Sequence, residues 1–267
     1  MVVFPNAKIN LGLRIVAKRP DGYHDLLSCF YPVGWTDALE ILPSSTMDFT
    51  ATGLPIPGDG NLCLRAYRLL QGDWNLPPVR MHLHKVIPIG AGLGGGSADG
   101  AFALKALNQL FSLGLTPAQL EAYARQLGSD CAFFIRNQPV YCTGRGDQFE
   151  EIMVNLAGRF VVLVNPGIHV STAEAYAGVR PRLPATDLKK VLQAPLDAWR
   201  ETVQNDFEAQ LAVKYPIIAQ VKETLYHSGA VYASMTGSGS PVYGIFEQAM
   251  DLQATLPGYA IWQGALG

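Results

Sequence analysis

Pro88-Ile89-Gly90-Ala91-Gly92-Leu93-Gly94-Gly95-Gly96-Ser97 places five glycines within ten residues of the chain. Residues 79–86 before it alternate apolar and polar side chains as a strand does, and the residues after it follow a helical pattern to about Phe111. Glycine lets backbone N–H groups approach an anion closely, and a helix start contributes its positive dipole end. A simple strand-to-helix connection would need fewer glycines. We therefore predict a phosphate-binding loop here.

Two common glycine-rich motifs fit this loop poorly. The P-loop signature requires Gly-Lys followed by Ser or Thr, which this stretch lacks. Residues 90–95 match the GxGxxG pattern of dinucleotide-binding folds, but no parallel βαβ pattern surrounds them. Residues 86–98 carry no ionisable side chain. Backbone N–H groups would therefore have to bind the phosphates.

The charge pattern disfavours a nucleic-acid partner. Of the 267 residues, 16% are charged, against about 25% in an average domain, and the formal net charge is −2. The basic spots Lys18-Arg19 and Lys189-Lys190 are only pairs, whereas a nucleic-acid-binding protein normally presents a basic face. The apolar fraction of 49% is enough for a sizeable core, which excludes a disordered chain.

The same composition predicts a cytoplasmic protein. No apolar stretch reaches the ~18 residues of a membrane span, and the N-terminal residues are too short for a signal-peptide core. Cys29, Cys63, Cys131 and Cys142 show no CxxC spacing and no accompanying histidine cluster. We expect four reduced cysteines in the core and no zinc site.

Hydrophobic periodicity predicts an α+β fold, because strands and helices follow each other without regular βα alternation. Residues 160–165 carry no polar side chain before Asn165, so this strand should be buried on both faces. Thr116-Pro117-Ala118-Gln119 is a capping box that starts a helix. The predicted strands are 8–15, 28–35, 38–42, 79–86, 139–143, 160–165, 231–235 and 241–246. The predicted helices are 61–71, the segment ending near 111, 117–127, a short helix capped by Ser171 or Thr172, 187–200 and 206–227. Residues 18–25 are a predicted turn, and 43–60 are mainly loop with room for one strand.

Three positions outside the loop have two interpretations each. Asp130, followed by Cys-Ala-Phe-Phe, is either the N-cap of a short helix at 131–135 or a partly buried general base. Lys8 is either an edge-strand lysine in solvent or, between Ala7 and Ile9, a partly desolvated ammonium. Tyr23-His24 is either an exposed turn or a clamp that stacks on a flat base.

Three segments in this order resemble the three motifs of the GHMP small-molecule kinases: Pro5-Asn6-Ala7-Lys8-Ile9-Asn10-Leu11, the stretch 88–97, and Thr236-Gly237-Ser238-Gly239. Four features resemble the branch of that superfamily acting on a cytidine-diphosphate-linked methylerythritol: the long loop with its triple glycine, Arg19-Pro20-Asp21-Gly22-Tyr23-His24, Gly128-Ser129-Asp130 and Asn205-Asp206-Phe207-Glu208. The resemblance covers essentially the whole chain.

The resemblance implies a two-domain architecture with the active site in the cleft between the domains. Residues 1–153 would form the ATP-binding, catalytic domain, with a left-handed βαβ unit. Residues 154–267 would form a ferredoxin-like domain. The implied activity is ATP-dependent phosphorylation of the 2-hydroxyl of the cytidylated methylerythritol, in the non-mevalonate route to isoprenoid precursors.

The resemblance also assigns site residues. Asp130 would be the catalytic base and Lys8 its electrostatic partner. ATP would be bound by Pro88, Ile89, Gly90, Ala91, Gly92, Leu93, Gly94, Gly95, Gly96, Ser97 and Ala98, with Asn61, Leu62 and Lys85 bordering the adenine. The substrate would be bound by Asn10, Tyr23, His24, Phe30, Thr172, Thr236, Gly237, Ser238 and Gly239.

Small departures from the family pattern concern the metal. Ala98 replaces a frequent serine, Ala91 a frequent glycine, and Ser129 a commoner alanine. We therefore name no protein ligand for Mg²⁺, which would arrive bridging the ATP phosphates. The expected partners are ATP and the cytidylated substrate, without nucleic acid or membrane, in a monomer or weak homodimer.

Three alternatives stay open from the sequence. The first is another GHMP kinase, acting on mevalonate or homoserine, for which the Tyr23-His24 turn has no purpose. The second is a catalytically inactive binding protein on the same scaffold, against which the presence of both Lys8 and Asp130 argues. The third is a dinucleotide-dependent oxidoreductase, which rests only on the degenerate glycine match.

Overall fold

The computed structural model describes residues 1–58 and 60–267. In chain order the strands are β1 (Val2–Val3), β2 (Asn6–Lys18), β3 (His24–Thr36), β4 (Ala38–Pro43), β5 (Asp48–Gly53), β6 (Val79–Lys85), β7 (Val140–Thr143), β8 (Gln148–Glu151), β9 (Phe160–Asn165), β10 (Tyr232–Met235), β11 (Val242–Phe246) and β12 (Ala260–Ala265). The α-helices are α1 (Leu62–Trp74), α2 (Gly95–Leu110), α3 (Pro117–Leu127), α4 (Phe133–Arg136), α5 (Thr172–Ala177), α6 (Leu188–Leu192), α7 (Trp199–Thr202), α8 (Glu208–Lys214) and α9 (Pro216–His227). This mixture confirms the α+β class.

The chain divides into two compact units. The first consists of Met1–Ala7, Thr36–Ile89 and Gly94–Gln138, and the second of Lys8–Trp35, Gly90–Leu93 and Pro139–Gly267. Each unit is therefore assembled from separate stretches of chain. The domain boundary at residue 153 stays a prediction.

The first unit is built on a sheet of order β1-β4-β6-β5. β4 pairs with β6 in antiparallel fashion, whereas β5 and β6 are parallel and are connected through α1, which makes them a βαβ unit. The Asn61 side chain caps α1 by accepting from Cys63 N at 2.8 Å. The capping box at Thr116 and Gln119 is formed as predicted, and α3 ends at Leu127.

The second unit contains two sheets, of orders β2-β3-β7-β8 and β10-β11-β9-β12. If β9, β10, β11 and β12 are numbered 1 to 4 along the chain, their order across the latter sheet is 2-3-1-4, which is the ferredoxin-like order. The connection from β11 to β12 consists of residues 247–259, all of which the structure describes. It forms turns where that fold usually has its second helix. The central strand β9 is buried from Val161 to Val164, as its apolar sequence predicts.

The structure corrects some predicted elements. The helix predicted over 187–200 is interrupted at Pro195, and the one over 206–227 breaks at Tyr215 before Pro216. Proline has no N–H for a helical hydrogen bond, which explains both breaks. In the predicted loop 43–60 the strand β5 is present, while Asp59 lies outside the described residues. The strands missed from sequence are β1, β8 and β12, which lack clear alternation.

All four cysteines are free and buried, in agreement with reduced core thiols. Within 1–58 and 60–267, none of the helices combines the length and apolar character needed to cross a membrane.

Candidate active site

The glycine-rich loop leads directly into a helix start. Gly90, Gly92 and Gly94 have φ of 70°, 68° and 73°, which residues with a side chain rarely adopt. Gly94 is the N-cap of α2, so Gly95, Gly96 and Ser97, which we predicted as loop, form the first helical turn. The N–H groups of a first helical turn have no partner within the helix. This backbone is therefore suited to bind phosphate.

A buried ion triad lies beneath this helix start in the first unit. Lys85 Nζ donates to Asp37 Oδ2 at 2.5 Å and to Asp99 Oδ2 at 2.8 Å, and Lys85 is only 3% exposed. The other oxygen of Asp37 accepts from Val86 N at 2.6 Å and Ile87 N at 2.8 Å. The triad thus links Val86 and Ile87, which precede the glycine-rich loop, to Asp99 in α2. The role of Lys85 at the adenine stays a prediction, and its ammonium is engaged here by two carboxylates.

Asp99 holds its proton more readily than an ordinary aspartate. Burial raises its pKa to about 7, and Lys85 opposes this effect while Asp37 adds to it. Its Oδ1 atom is buried and accepts no hydrogen bond from the described residues. A buried carboxylate with one oxygen unsatisfied is costly, which favours the protonated form.

We expect Asp99→Asn to change how stability depends on pH. The folded-state pKa of about 7 lies above the ordinary aspartate pKa of 3.8, so the native state holds this proton more tightly than the unfolded chain. This contribution to the free energy of unfolding is fully present below the lower pKa and is lost as pH rises towards 7. Urea unfolding at several pH values should show a loss in the wild type that Asp99→Asn lacks. Parallel profiles for the two proteins would contradict the assignment.

Asp130 does not cap the short helix that follows it. The N-cap of α4 is Ala132, and Asp130 lies before it in a turn, where Ser129 Oγ donates to its Oδ1 at 3.2 Å. The side chain is half-buried, as the flanking apolar residues predict. The structure therefore rejects the helix-cap interpretation and leaves the general-base interpretation as a proposal.

Cys131, next to Asp130, adjoins the start of α2 and is an inert thiol. Burial raises its pKa to about 11, partly opposed by a hydrogen bond with the Ser97 side chain. The thiolate is the reactive form of cysteine, so this thiol stays protonated and unreactive near neutral pH. The contact with Ser97 places the Asp130 segment beside the end of the glycine-rich loop.

Lys8 is desolvated, as its apolar neighbours predict. It is 3% exposed, its Nζ donates to Asn10 Oδ1 at 2.7 Å, and Nζ lies 4.6 Å from the centre of the Phe30 ring. Its backbone N donates to Leu93 O at 2.9 Å. The structure thus rejects the solvent-exposed lysine and attaches Lys8 to the glycine-rich loop within the second unit.

Asn10 links Lys8 to the last motif. Its backbone N donates to Thr236 Oγ1 at 2.9 Å, and its Nδ2 donates to Ser28 Oγ at 2.8 Å. Tyr243 Oη donates to the Asn10 carbonyl at 2.9 Å. Each polar group of Asn10 is therefore held, which fixes the oxygen that accepts from Lys8.

The second glycine turn packs against the first glycine-rich loop. A Cβ added to Gly237 would lie 2.8 Å from Gly92 Cα, and Gly237 has a φ of 57°. Such a contact is too short for any side chain. The two motifs need glycine at these positions because their backbones touch.

Tyr23 and His24 are adjacent in sequence but have different surroundings. Tyr23 is 57% exposed, with the Arg145 guanidinium 5.0 Å from its ring centre. The His24 ring instead stacks on Tyr176 at 4.7 Å, and Tyr176 packs edge-on against Phe207. Tyr176 was missed as a site residue. Its signal was an aromatic residue one helical turn after the candidate Thr172, the first residue of α5.

Comparisons with known proteins agree with these features. The model of the family described as "GHMP kinases N terminal domain" matches residues 61–138, and that of "GHMP kinases C terminal" matches 187–256. Curated relatives called 4-diphosphocytidyl-2-C-methyl-D-erythritol kinase include those of Parabacteroides distasonis, 47% identical over 100% of both chains, and Cytophaga hutchinsonii, 51% identical over 92% of each.

Solved structures extend this agreement to the fold. The crystal structure of a 4-(cytidine 5'-diphospho)-2C-methyl-D-erythritol kinase has a TM-score of 0.87 at 32% identity and covers 100% of this chain and 99% of that chain. The Methanococcus jannaschii mevalonate kinase, 15% identical, has a TM-score of 0.75, covers 100% and 98% of the two chains, and shows the fold alone. The chain therefore belongs to the GHMP kinases, and within them to the 4-diphosphocytidyl-2-C-methyl-D-erythritol kinase family.

Proposed function

We propose that this chain is the ATP-dependent kinase that phosphorylates the 2-hydroxyl of 4-diphosphocytidyl-2-C-methyl-D-erythritol in the non-mevalonate route to isoprenoid precursors. The relative with this name from Parabacteroides distasonis matches the whole chain at 47% identity. The observation that carries the chemistry is the hydrogen bond from Lys8 N to Leu93 O. It ties a desolvated cation to the predicted phosphate loop.

The glycine-rich loop holds the β- and γ-phosphates of ATP in this proposal. The unpaired N–H groups at the start of α2 and the positive end of its dipole bind the anion. Asn61 and Leu62, at the start of α1, border the adenine.

Mg²⁺ accompanies ATP in the proposal. Ser97, whose side chain hydrogen-bonds Cys131, and Asp130, the residue before Cys131, carry hydroxyl and carboxylate oxygens of the kind that a hard cation prefers, so the surroundings fit it. No residue is assigned as its ligand. When bound, the ion neutralises charge on the phosphates during in-line transfer.

In this proposal Asp130 accepts a proton and Lys8 stabilises negative charge. Asp130 accepts the proton of the substrate hydroxyl, for which its half-buried carboxylate is suited. The ammonium of Lys8, fixed by Asn10, stabilises negative charge on the carboxylate and on the phosphoryl group being transferred. In a buried setting one such charge has a larger effect than in water.

The cytidylated end of the substrate is assigned to the aromatic residues. His24, stacked on Tyr176, offers both a flat surface and ring nitrogens to a pyrimidine base. Tyr23 and Thr172 are assigned to the cytidylated end as well. The turn 236–239, which contacts Asn10, and Phe30, which contacts Lys8, are assigned to the part of the substrate that carries the reacting hydroxyl.

We expect His24→Ala to raise KM for the cytidylated substrate while leaving kcat and the affinity for ATP near wild type. The imidazole contacts a part of the substrate that does not react. Its loss therefore weakens binding of the ground state and of the transition state equally, which raises KM without lowering kcat. Steady-state kinetics with each substrate varied in turn would measure this. An unchanged KM for that substrate with a large change in ATP affinity would place His24 at the nucleotide instead.

A coupled ADP-release assay with the cytidylated methylerythritol as acceptor tests the proposed function. Mevalonate and homoserine serve as competing acceptors, and the expected result is turnover with the cytidylated compound at much higher kcat/KM. Preference for either competitor would assign the chain to another GHMP kinase activity. ATP binding without turnover on any acceptor would indicate an inactive binding protein.

The proposal also includes a cytoplasmic location and a monomer or weak homodimer, with ATP and the acceptor as small-molecule partners. Sedimentation at several protein concentrations tests the oligomeric state.

A further inference from the structure

Asn205 belongs to a sequence motif that the proposed function leaves without a role. Its side chain is 95% buried, with 5% exposure. Its Nδ2 donates to Met235 O at 3.0 Å and to Gly237 O at 2.9 Å, while its Oδ1 accepts from Phe207 N at 3.0 Å. The amide thus uses both of its donor hydrogens and its acceptor in one place.

The two donor bonds of Asn205 bracket Thr236. Thr236 Oγ1 accepts from Asn10 N at 2.9 Å and lies 3.4 Å from Asn10 Oδ1. That same Oδ1 accepts from Lys8 Nζ. A continuous series of hydrogen bonds therefore runs from the Asn205 amide, through the turn that it holds, to the Lys8 ammonium.

The same turn also sets the glycine-rich loop. Gly237, whose carbonyl accepts from Asn205, is in backbone contact with Gly92. The two backbones pack so closely that neither position has room for a side chain. We therefore expect a displaced turn to disturb the backbone at Gly92.

We propose that Asn205 is a positioning residue of the kinase, which holds the turn 236–239 so that the Lys8 ammonium and the backbone at Gly92 meet the phosphoryl group. The inference rests on the proposed function and deepens it. Asn205 touches neither Lys8 nor Gly92 in the contacts above and acts on both through the turn. Its effect is expected on kcat, because the geometry of transfer is more sensitive to small displacements than binding is.

A neighbouring residue provides the control for a purely structural role. The Asp206 carboxylate pairs with Arg14 at 3.0 Å and accepts from Ile15 N at 2.9 Å. These bonds attach the same segment to β2, away from the turn. Asp206→Asn should therefore weaken the fold without altering the turn.

The test compares Asn205→Asp with Asp206→Asn. Asparagine and aspartate have the same shape, but a carboxylate cannot donate to Met235 O and Gly237 O. Asn205→Asp is expected to lower kcat by about 100-fold, with KM values changed far less. Asp206→Asn should lose thermal stability and keep its kcat near wild type. Equal kcat values in the two variants would overturn the proposal.

Two further measurements separate coupling from general damage. In a double-mutant cycle on kcat, Asn205→Asp and Thr236→Val should be strongly non-additive, because both act through one hydrogen-bond series. Additive effects would contradict the proposal. If Asn205→Asp fails to fold, Asn205→Ala takes its place in the cycle.

Hydrogen exchange makes the test independent of the acceptor. Amides in 236–239 and 90–93 should exchange faster in Asn205→Asp than in the wild type, and should be unchanged in Asp206→Asn. Unchanged exchange in Asn205→Asp would overturn the inference by itself. Lack of wild-type turnover would instead overturn the proposed function. The exchange measurement would still test whether Asn205 holds the turn, because it needs no substrate.

Discussion

Asp130→Asn should fold and bind ATP but lose about 10²- to 10⁴-fold in turnover, the usual contribution of a general base. The amide has the size of the carboxylate but cannot accept the proton of the substrate hydroxyl. The side chain is half-buried in a turn and does not cap α4, so the substitution should cost little stability. Single-turnover kinetics and calorimetric ATP binding measure the two effects separately.

Asp73→Asn is the matched control for this prediction. Asp73 is exposed on α1 and accepts from Tyr123 Oη at 2.6 Å, so the same chemical change occurs away from the site. It should keep wild-type turnover. Near-normal turnover by Asp130→Asn would show that another group accepts the proton.

Lys85→Met should lower the free energy of unfolding by about 3–5 kcal/mol, the usual cost of removing one partner from a buried ion pair. Two carboxylates, Asp37 and Asp99, would remain buried without their cation. Urea or thermal unfolding measures the loss. The loss should be larger at higher pH, because Asp99 must then either ionise without the Lys85 ammonium beside it or keep its proton at a rising cost in free energy.

Asp99→Asn in the Lys85→Met background is the control for the ion triad. It replaces a carboxyl group that without Lys85 must either ionise in the core or hold its proton, and should recover part of the lost stability. Wild-type stability of Lys85→Met combined with much weaker ATP binding would contradict this account. That outcome would return Lys85 to the adenine, where family resemblance places it.

Local features of the fold were predictable because they depend on neighbouring residues. The capping box at Thr116 formed as predicted, since its two hydrogen bonds join residues three apart. The strand around Lys8 followed from its alternation, whereas Ala7 and Ile9 left both an exposed and a partly desolvated Lys8 open, and the structure decided for the buried one. The missed strand β12 has no such alternation, because its residues are intermediate or exposed.

The candidate site was predictable only in part. The motifs identified Lys8, the glycine-rich loop and the turn 236–239, and the structure brings Lys8, the turn and the Gly90–Leu93 part of the loop together within the second unit. Tyr176 escaped notice because its importance comes from stacking on His24, 152 positions earlier in the chain by their numbers. The neighbouring sequence places Tyr176 one helical turn after Thr172 but does not indicate its contact with His24.

The sequence by itself determined the glycine-rich turn before α2, from which a phosphate site is predicted, because glycine adopts positive φ and leaves backbone N–H groups open to an anion whatever surrounds it. The tertiary structure alone decided the partners of the buried polar groups. Lys85 finds Asp37 48 positions away, and the Asn205 amide finds carbonyls 30 and 32 positions away. A buried polar group must be paired wherever the folded chain supplies a partner, and such pairs leave no local pattern in the sequence.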